Sequence, residues 1–222
     1  MKLANFCVTG TATTVLSSTG DDVCLFNLQV TNTNAGAAKT AINLSNDPKV
    51  IGCEASTAGS GSSYGIYSSG RIIGCYAHDS PIGIFVLPAS EAVGCIADTC
   101  TTGFSTANAD AAFINCTAYN CTTGYNYGAV AGEGLIVNCI SDNCTNDFVT
   151  STAADESVWC LYNTGDGTTG FTNAKNWFGN IFGDPGLNAP ATGDFRIGSE
   201  DTNVYEQGVD VGYFTTAQTY DE

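Results

Sequence analysis

The sequence predicts an all-β chain: a single-stranded right-handed parallel β-helix of about seven coils with a C-terminal cap. Three observations predict it. Cys53, Cys75, Cys95, Cys116, Cys139 and Cys160 recur at intervals of 20 to 23 residues. Each follows a Gly or Asn (Gly52, Gly74, Gly94, Asn115, Asn138), with Trp159 the exception. Before that stands a β-branched residue: Ile51, Ile73, Val93, Ile114, Val137 or Val158. Finally, almost no window shows helical periodicity or a strong helix cap. One unit copied at near-constant period means stacked copies of one supersecondary element.

The chain divides into an irregular N-terminal segment (1–19), the coils (20–176) and a C-terminal cap and tail (177–222). In Leu25-Phe26-Asn27-Leu28-Gln29-Val30, Asn27 takes the Gly/Asn position and Leu28 replaces the ladder cysteine. Gly and Asn tolerate positive φ best, so that position is a left-handed bend between two short strands. Strand side chains alternate, so an inward cysteine brings the residue two later inward as well: Ala55, Ala77, Ala97, Ala118, Ser141 and Tyr162. Turn formers follow at Thr57, Asp79, Thr99, Asn120, Asn143 and Thr164. A second inward column reads Ala58, Ser80, Cys100, Cys121, Cys144, Gly165. A third reads Gly65, Gly83, Gly103, Gly124, Asp147, Gly170, each preceding a large apolar residue: Ile66, Ile84, Phe104, Tyr125, Phe148, Phe171. That aromatic set reads as core stacking. Parallel strands stack at roughly 4.8 Å, which makes the column on the order of 35 Å long. A leucine-rich repeat has a similar period but wants a Leu/Asn signature that is missing. A β-sandwich would not repeat one bend residue at one phase.

Composition bounds the partners. The chain of 222 residues carries 22 acids, six Lys or Arg and one His, a net charge of −16. Such a surface repels nucleic acid, anionic membranes and polyanionic glycans. No stretch is long and apolar enough to span a bilayer, and Met1-Lys2-Leu3 does not open a secretion signal. The expectation is action without Sec export, or a fragment or mature form. The eleven cysteines, in line on successive coils, read as small buried hydrophobes, mostly free thiols rather than a disulfide framework. Zinc fits poorly, because no CxxC pair exists and His78 is the only imidazole. Sequons at Asn115, Asn120 and Asn143 fall within the repeat and arise from it.

Two outward columns carry the candidate chemistry. His78, Asp98, Tyr119 and Asp142 align on one strand face. Strand spacing puts His78 about 5 Å from Asp98, and Asp98 about 9–10 Å from Asp142. The latter is near the upper end for an inverting glycosidase. An aromatic between two acids also suits a sugar platform, and the plainest reading is a solvated polar face. The neighbouring column Tyr76, Ile96, Ile140 and Leu161, interrupted by Thr117, is an apolar stripe that a monomer seldom leaves bare. It is expected to be covered by another subunit or by the N-terminal segment.

The repeat, over roughly residues 20–175, resembles the pectate-lyase-like right-handed β-helix superfamily, which includes lyases, hydrolases and phage tailspikes. Asp184-Pro185-Gly186-Leu187, Gly193-Asp194-Phe195-Arg196-Ile197 and Gly208-Val209-Asp210-Val211-Gly212 are similar to the closing segment of such proteins, which implies a last partial turn and cap across Trp177–Phe214. The superfamily's catalytic patterns are largely absent. Only Asp21-Asp22 echoes the Asp-Asp pair of polygalacturonases. Lys2, Lys39, Lys49, Arg71, Lys175 and Arg196 are scattered rather than clustered against an acidic sugar. With those patterns missing, and with the free thiols, the apolar stripe and the short coil stack beside them, the expectation is a noncatalytic structural or adhesive virion component, such as a phage head decoration, fibre or tailspike-like protein, assembled as a homotrimer. Its partners would be a capsid or tail protein, or a cell-surface glycan. Two alternatives stand: a polysaccharide lyase or glycoside hydrolase acting through Asp98 and Asp142, and an extracellular carbohydrate-binding β-helix cut from a larger secreted bacterial protein. No cofactor is expected, calcium being the one cation the acidic surface could hold.

Overall fold

Three parallel sheets, of nine, nine and eight strands, run along the molecule. The structure is a computed structural model that describes residues 2–20, 23–106, 110–128, 134–150, 158–161, 163–167, 169–172 and 176–197. Each coil gives one strand to each sheet. In one coil, Arg71–Ile73 lies in the first sheet, Gly74 turns the corner, Tyr76–His78 lies in the second, Asp79 turns again, and Ile82–Val86 lies in the third. Neighbouring coils pair in parallel, as Arg71–Ile73 does with Lys49–Ile51 and Glu91–Val93. No α-helix occurs among the described residues. The seven coils read from the sequence are present, from Cys24–Phe26 through Thr169–Thr172.

The N-terminal segment is not irregular. Lys2–Ala4, Cys7–Gly10 and Thr14–Ser18 pair in register with the coil above and form a coil of their own. Asn5, at φ 57°, is its corner, and Asn27 donates its side-chain amide to Asn5 Oδ1 at 3.0 Å. Leu3, Val15 and Leu16 are only partly buried because no described strand stacks beneath them.

The Gly/Asn column is left-handed as the sequence implies. Asn27, Gly52, Gly74, Gly94, Asn115 and Asn138 have φ between 52° and 60°. Turning a corner in one residue keeps the backbone ladder unbroken. Gly74 N–H donates to Val93 O and Gly94 N–H to Ile114 O, both at 2.9 Å. A second left-handed column, Asp79, Thr99, Asn120 and Asn143, turns the next corner. There the Asn143 side-chain amide donates to Asn120 Oδ1, and that of Asn120 to Thr99 Oγ1, both at 3.2 Å. Two of the sequon asparagines therefore belong to a corner ladder.

Inside, residues stack by kind. Cys53, Cys75, Cys95, Cys116 and Cys139 are buried one above the next, and all eleven cysteines are free thiols. Cys53 N–H approaches Cys75 Sγ, and Cys75 N–H approaches Cys95 Sγ, each at 3.4 Å. Burial pushes the Cys75 and Cys116 thiols well above their ordinary range. Ala55, Ala77, Ala97 and Ala118 form the adjoining small-residue column. Phe104, Tyr125 and Phe148 stack with ring centroids 4.9 Å apart and nearly parallel planes. The glycines before Phe104 and Tyr125 are a packing requirement: a Cβ at Gly103 would sit 2.8 Å from Gly124 O on the next coil.

Three sequence expectations shift, two of them in the last coils. Cys160 is buried but lies in the first sheet opposite Ile136, not in the cysteine ladder. Its ladder place is taken by Asn163, whose Oδ1 accepts from Cys139 N–H at 2.9 Å, 24 residues apart. The step from Cys139 to Asn163 is 24 residues, so a period that ends on Cys160 stops three residues short, and the missing Gly/Asn before Cys160 is the sign of it. For the same reason Gly165 pairs with Ser141, and Gly167 rather than Gly165 lies against Cys144. Ala58, placed in the second inward column, is exposed. Asp21-Asp22, Tyr162, Lys175 and Gly208–Gly212 lie outside the described residues.

Asp147 is the anomaly of the interior. It fills a glycine place, is fully buried, accepts from Gly167 N–H at 2.8 Å through Oδ2, and leaves Oδ1 without a hydrogen-bond partner. Burial raises its carboxyl to about 6, partly offset by the Ser141 hydroxyl and Gly167 N–H.

Two predictions follow from this framework. Gly94→Val puts a β-branched residue at φ 59° and is expected to cost about 2 kcal/mol. Gly94→Asn is expected to be close to neutral. The shift in urea midpoint of the two variants tests the coil alignment, and equal tolerance of both would refute it. Asp147 binds its proton more tightly folded than unfolded, so the stability it supports below about pH 4 is lost as pH rises through about 6. Asp147→Asn should therefore stabilise the protein at pH 7 by about 1–2 kcal/mol once screening is discounted. The gap should close at pH 4, and urea midpoints at the two pH values measure it.

Candidate functional site

The outward column of the second sheet is where the sequence placed it. His78 pairs with Asp98, Asp98 with Tyr119 and Tyr119 with Asp142 on successive coils. The corner before each strand fixes which side chains face out, so the four share one face. All four are half-buried rather than fully exposed.

Most of their polar atoms are already engaged. Asp98 accepts from Tyr76 Oη at 2.8 Å through Oδ2 and from Thr99 Oγ1 at 2.7 Å through Oδ1. Burial and the Asp98 carboxylate raise the Tyr76 phenol, which keeps it a donor. His78 does not bond its partner in the column. Its Nδ1 is 2.8 Å from Asp79 Oδ2, its Nε2 is 3.2 Å from Glu54 Oε1, and its ring stacks on Tyr76. Glu54 Oε1 also accepts from Gln29 Nε2 at 2.8 Å.

Asp142 differs from what its outward position implied. A water-facing carboxyl has little desolvation to raise it, yet Asp142 is raised to about 6, first by burial and then by Asp166 and Asp184. Burial raises Asp166 in the same way. Asp184 arrives with the C-terminal segment, where its Oδ1 accepts from Gly186 N–H in a tight turn. The segment continues into a hairpin, Leu187–Ala189 with Asp194–Ile197, joined through Pro190–Thr192 and Gly193 at φ 85°. Arg196 grips both oxygens of Asp194, at 2.8 and 2.7 Å, which holds that carboxyl down to about 2.

Between those two residues Phe195 reaches the column itself. Its ring lies 6.2 Å from that of Tyr76 and 5.8 Å, edge-on, from that of Tyr119. The motif read as a terminal cap thus lies against the side of the second sheet. Nothing in its residue types announced where it would land.

The apolar stripe does not hold together. Tyr76 is bonded to Asp98 and lies near Phe195, Ile96 is half-buried, and Ile140 is buried. Leu161 belongs to the first sheet, beside Val137 and Phe178, and Thr164 takes the place next to Ile140. The cover over Tyr76 comes from the C-terminal hairpin rather than the N-terminal segment, and the stripe no longer argues for a trimer.

The continuous outward apolar column is on the first sheet, at the β-branched position before each bend. There Val93, Ile114 and Val137 are buried and Ala112, Leu135 and Leu161 pack against them. The sequence displayed this column as a repeat element but not the face it occupies. Beside it lie two shallow hollows of about 380 and 370 Å³ that share Asp110 and Ala112. One is lined by the paired Arg71 and Glu91, the other by Leu135 and the half-exposed Trp159.

Among the described residues no group of three or more His, Cys, Asp or Glu side chains is arranged to hold a metal ion. No helix there is long and apolar enough to cross a membrane. Comparison with protein-family models, curated proteins and solved structures gives no match to this chain.

Removing the Phe195 ring tests the hairpin's seat. Phe195→Ala is expected to cost about 1 kcal/mol from the lost aromatic pairs. It should also raise the nitration rate of Tyr119, read by mass spectrometry of the peptide. An unchanged rate would place the hairpin elsewhere.

Proposed function

We propose that this chain is a noncatalytic structural or adhesive β-helix, of the kind that serves a virion as fibre, tailspike-like module or head decoration. One observation carries the reading: three of the four residues in the polar column that offered a catalytic site are engaged in internal contacts. Both oxygens of Asp98 and both ring nitrogens of His78 already have partners, and Tyr119 has Phe195 against it. A general base or nucleophile needs a free lone pair facing a bound substrate. The eleven free thiols suit a chain that folds in a reducing compartment, as virion parts assembled inside a cell do.

Asp142 favours a second reading. A carboxyl raised to about 6, two coils from another, has the character of a general acid in polysaccharide hydrolysis. Reducing-end release and ultraviolet absorbance of unsaturated products, measured on neutral and acidic polysaccharides, separate the two. No turnover is expected. Turnover that is abolished in both Asp98→Asn and Asp142→Asn would replace the structural reading by the hydrolase or lyase.

A further inference from the structure

The third sheet presents a face unlike the other two. Its strands contain a single charged residue, Asp147, and that one is buried. The first sheet carries Lys49, Arg71 and Glu91 outward, and the second carries Glu54, His78, Asp98 and Asp142. In a chain of net charge −16, eight strands without an outward charge make a distinct surface.

At its centre are three aromatic rings. Tyr64, Tyr67 and Phe85 are half-buried, with centroids 5.1 to 5.2 Å apart. Tyr67 and Phe85 stack in parallel along the helix axis. Their outward column continues to Asn43 on the coil beneath Tyr67, and to Ser105 and then Asn126 on the coils beyond Phe85. Ser105 is buried, and the Phe85 ring beside it keeps part of its surface exposed.

The polar groups around the rings are unspent. The phenols of Tyr64 and Tyr67 and the amides of Asn43 and Asn126 have no hydrogen-bond partner among the described residues. This is the reverse of the second sheet, where the polar side chains bond one another.

We infer that this face binds a neutral polysaccharide, with Tyr64, Tyr67 and Phe85 as the platform and Asn43 and Asn126 as flanking hydrogen-bond partners. A pyranose offers an apolar C–H face to an aromatic ring and hydroxyls that both donate and accept, which is what phenols and amides match. Strand spacing of about 4.8 Å repeats the polar groups along the axis, which suits a ligand that is itself a linear repeat. The absence of charge removes any attraction for an acidic glycan, and the −16 background adds repulsion. A second copy of this chain is the poorer occupant, because it would bury these unpaired amides and phenols without supplying complementary groups. The inference rests on the adhesive half of the function proposed above, and fails separately from it.

Isothermal titration with neutral hexaoses (cello-, xylo-, manno-, malto- and N-acetylchito-) tests it, with a galacturonate hexaose as the acidic control. At least one neutral hexaose should bind in the millimolar range or tighter, and the acidic one should not. Phe85→Ala and Asn126→Ala should each weaken that binding, Phe85→Ala by about tenfold. Asp98→Asn should leave it unchanged. Circular dichroism checks that each variant keeps its strands, and Asn126→Ala, on the half-buried outer face, serves if Phe85→Ala does not. No binding by any neutral hexaose overturns the inference and leaves the structural reading standing. Binding that survives both platform variants places the site elsewhere and overturns it too. A concentration-dependent dimer that Phe85→Ala dissociates, seen by light scattering, would make this face a self-interface instead. Turnover of a bound hexaose would sink the noncatalytic reading while leaving the platform intact.

Discussion

From Asn5 to Asn138, each coil turns its first corner through one residue held at φ between 52° and 60°, and the rest of the molecule hangs on that turn. A longer corner would have slack, and the strands on either side could drift in phase from coil to coil. A one-residue corner has none. It fixes the residue before it outward and the residue after it inward, and it passes the backbone ladder on through bonds such as Asn115 N–H to Val137 O at 3.0 Å. The columns of cysteine, alanine and aromatic rings are consequences of that phase lock. Only Gly and Asn meet the need cheaply, because a Cβ with further branching clashes at positive φ. The second corner tolerates more. Thr99 sits there at φ 52°, with its hydroxyl engaged by Asp98 and Asn120.

The phase lock also decides what a mutation in the interior meets. Stacked side chains at strand spacing touch their like on both neighbours, so an odd residue disturbs two coils at once. Asp147 shows the consequence. Its carboxyl takes a place that glycines hold elsewhere in the column, and it presses on Gly165 and Gly167 of the following coil, where no Cβ competes for the space. On the coil after Cys139 the ladder place is filled by Asn163, whose Oδ1 accepts from Cys139 N–H below and whose own N–H donates to Asn180 Oδ1 at 2.8 Å. An amide there continues a hydrogen-bonded column where thiols make weak contacts. The column thus changes from packing to hydrogen bonding near its end, where fewer coils lie above to exclude water.

What the sequence made legible follows from this. A corner that demands Gly or Asn writes itself into the residue types at every turn, so the coils, the inward columns and the alignment of His78, Asp98, Tyr119 and Asp142 could be read directly. The first coil was harder because its core contacts are made by Leu3, Val15 and Leu16 instead of a cysteine. Asn5, standing 22 residues before Asn27, was the available signal. Cys160 misled because a cysteine at the right period outweighed the Trp at the corner position. The seat of Phe195 was not legible at all. It depends on the path of the chain after the last coil, and no periodicity constrains that path. The same holds for Asp142, whose raised carboxyl owes part of its shift to Asp184, 42 residues along the chain and brought back by the C-terminal segment.

The three faces then divide the work in a way that charge alone explains. Several charged side chains on the first two sheets have opposite or hydrogen-bonding partners within reach: Arg71 with Glu91, His78 between Glu54 and Asp79, Asp98 with Tyr76. Such pairs contribute little net stability at a surface, but they satisfy the groups and leave those faces with little to offer a ligand. On the third sheet Tyr64, Tyr67, Asn43 and Asn126 make no side-chain hydrogen bond to the described residues. Its phenols and amides lie beside rings whose burial is incomplete, and no charge sets a sign that a partner must match. A surface with unsatisfied neutral polar groups gains most from a ligand that brings hydroxyls and no charge, since every bond made there replaces one to water without desolvating an ion. Parallel stacking is what permits the division, because it sends the same position of every coil to the same face.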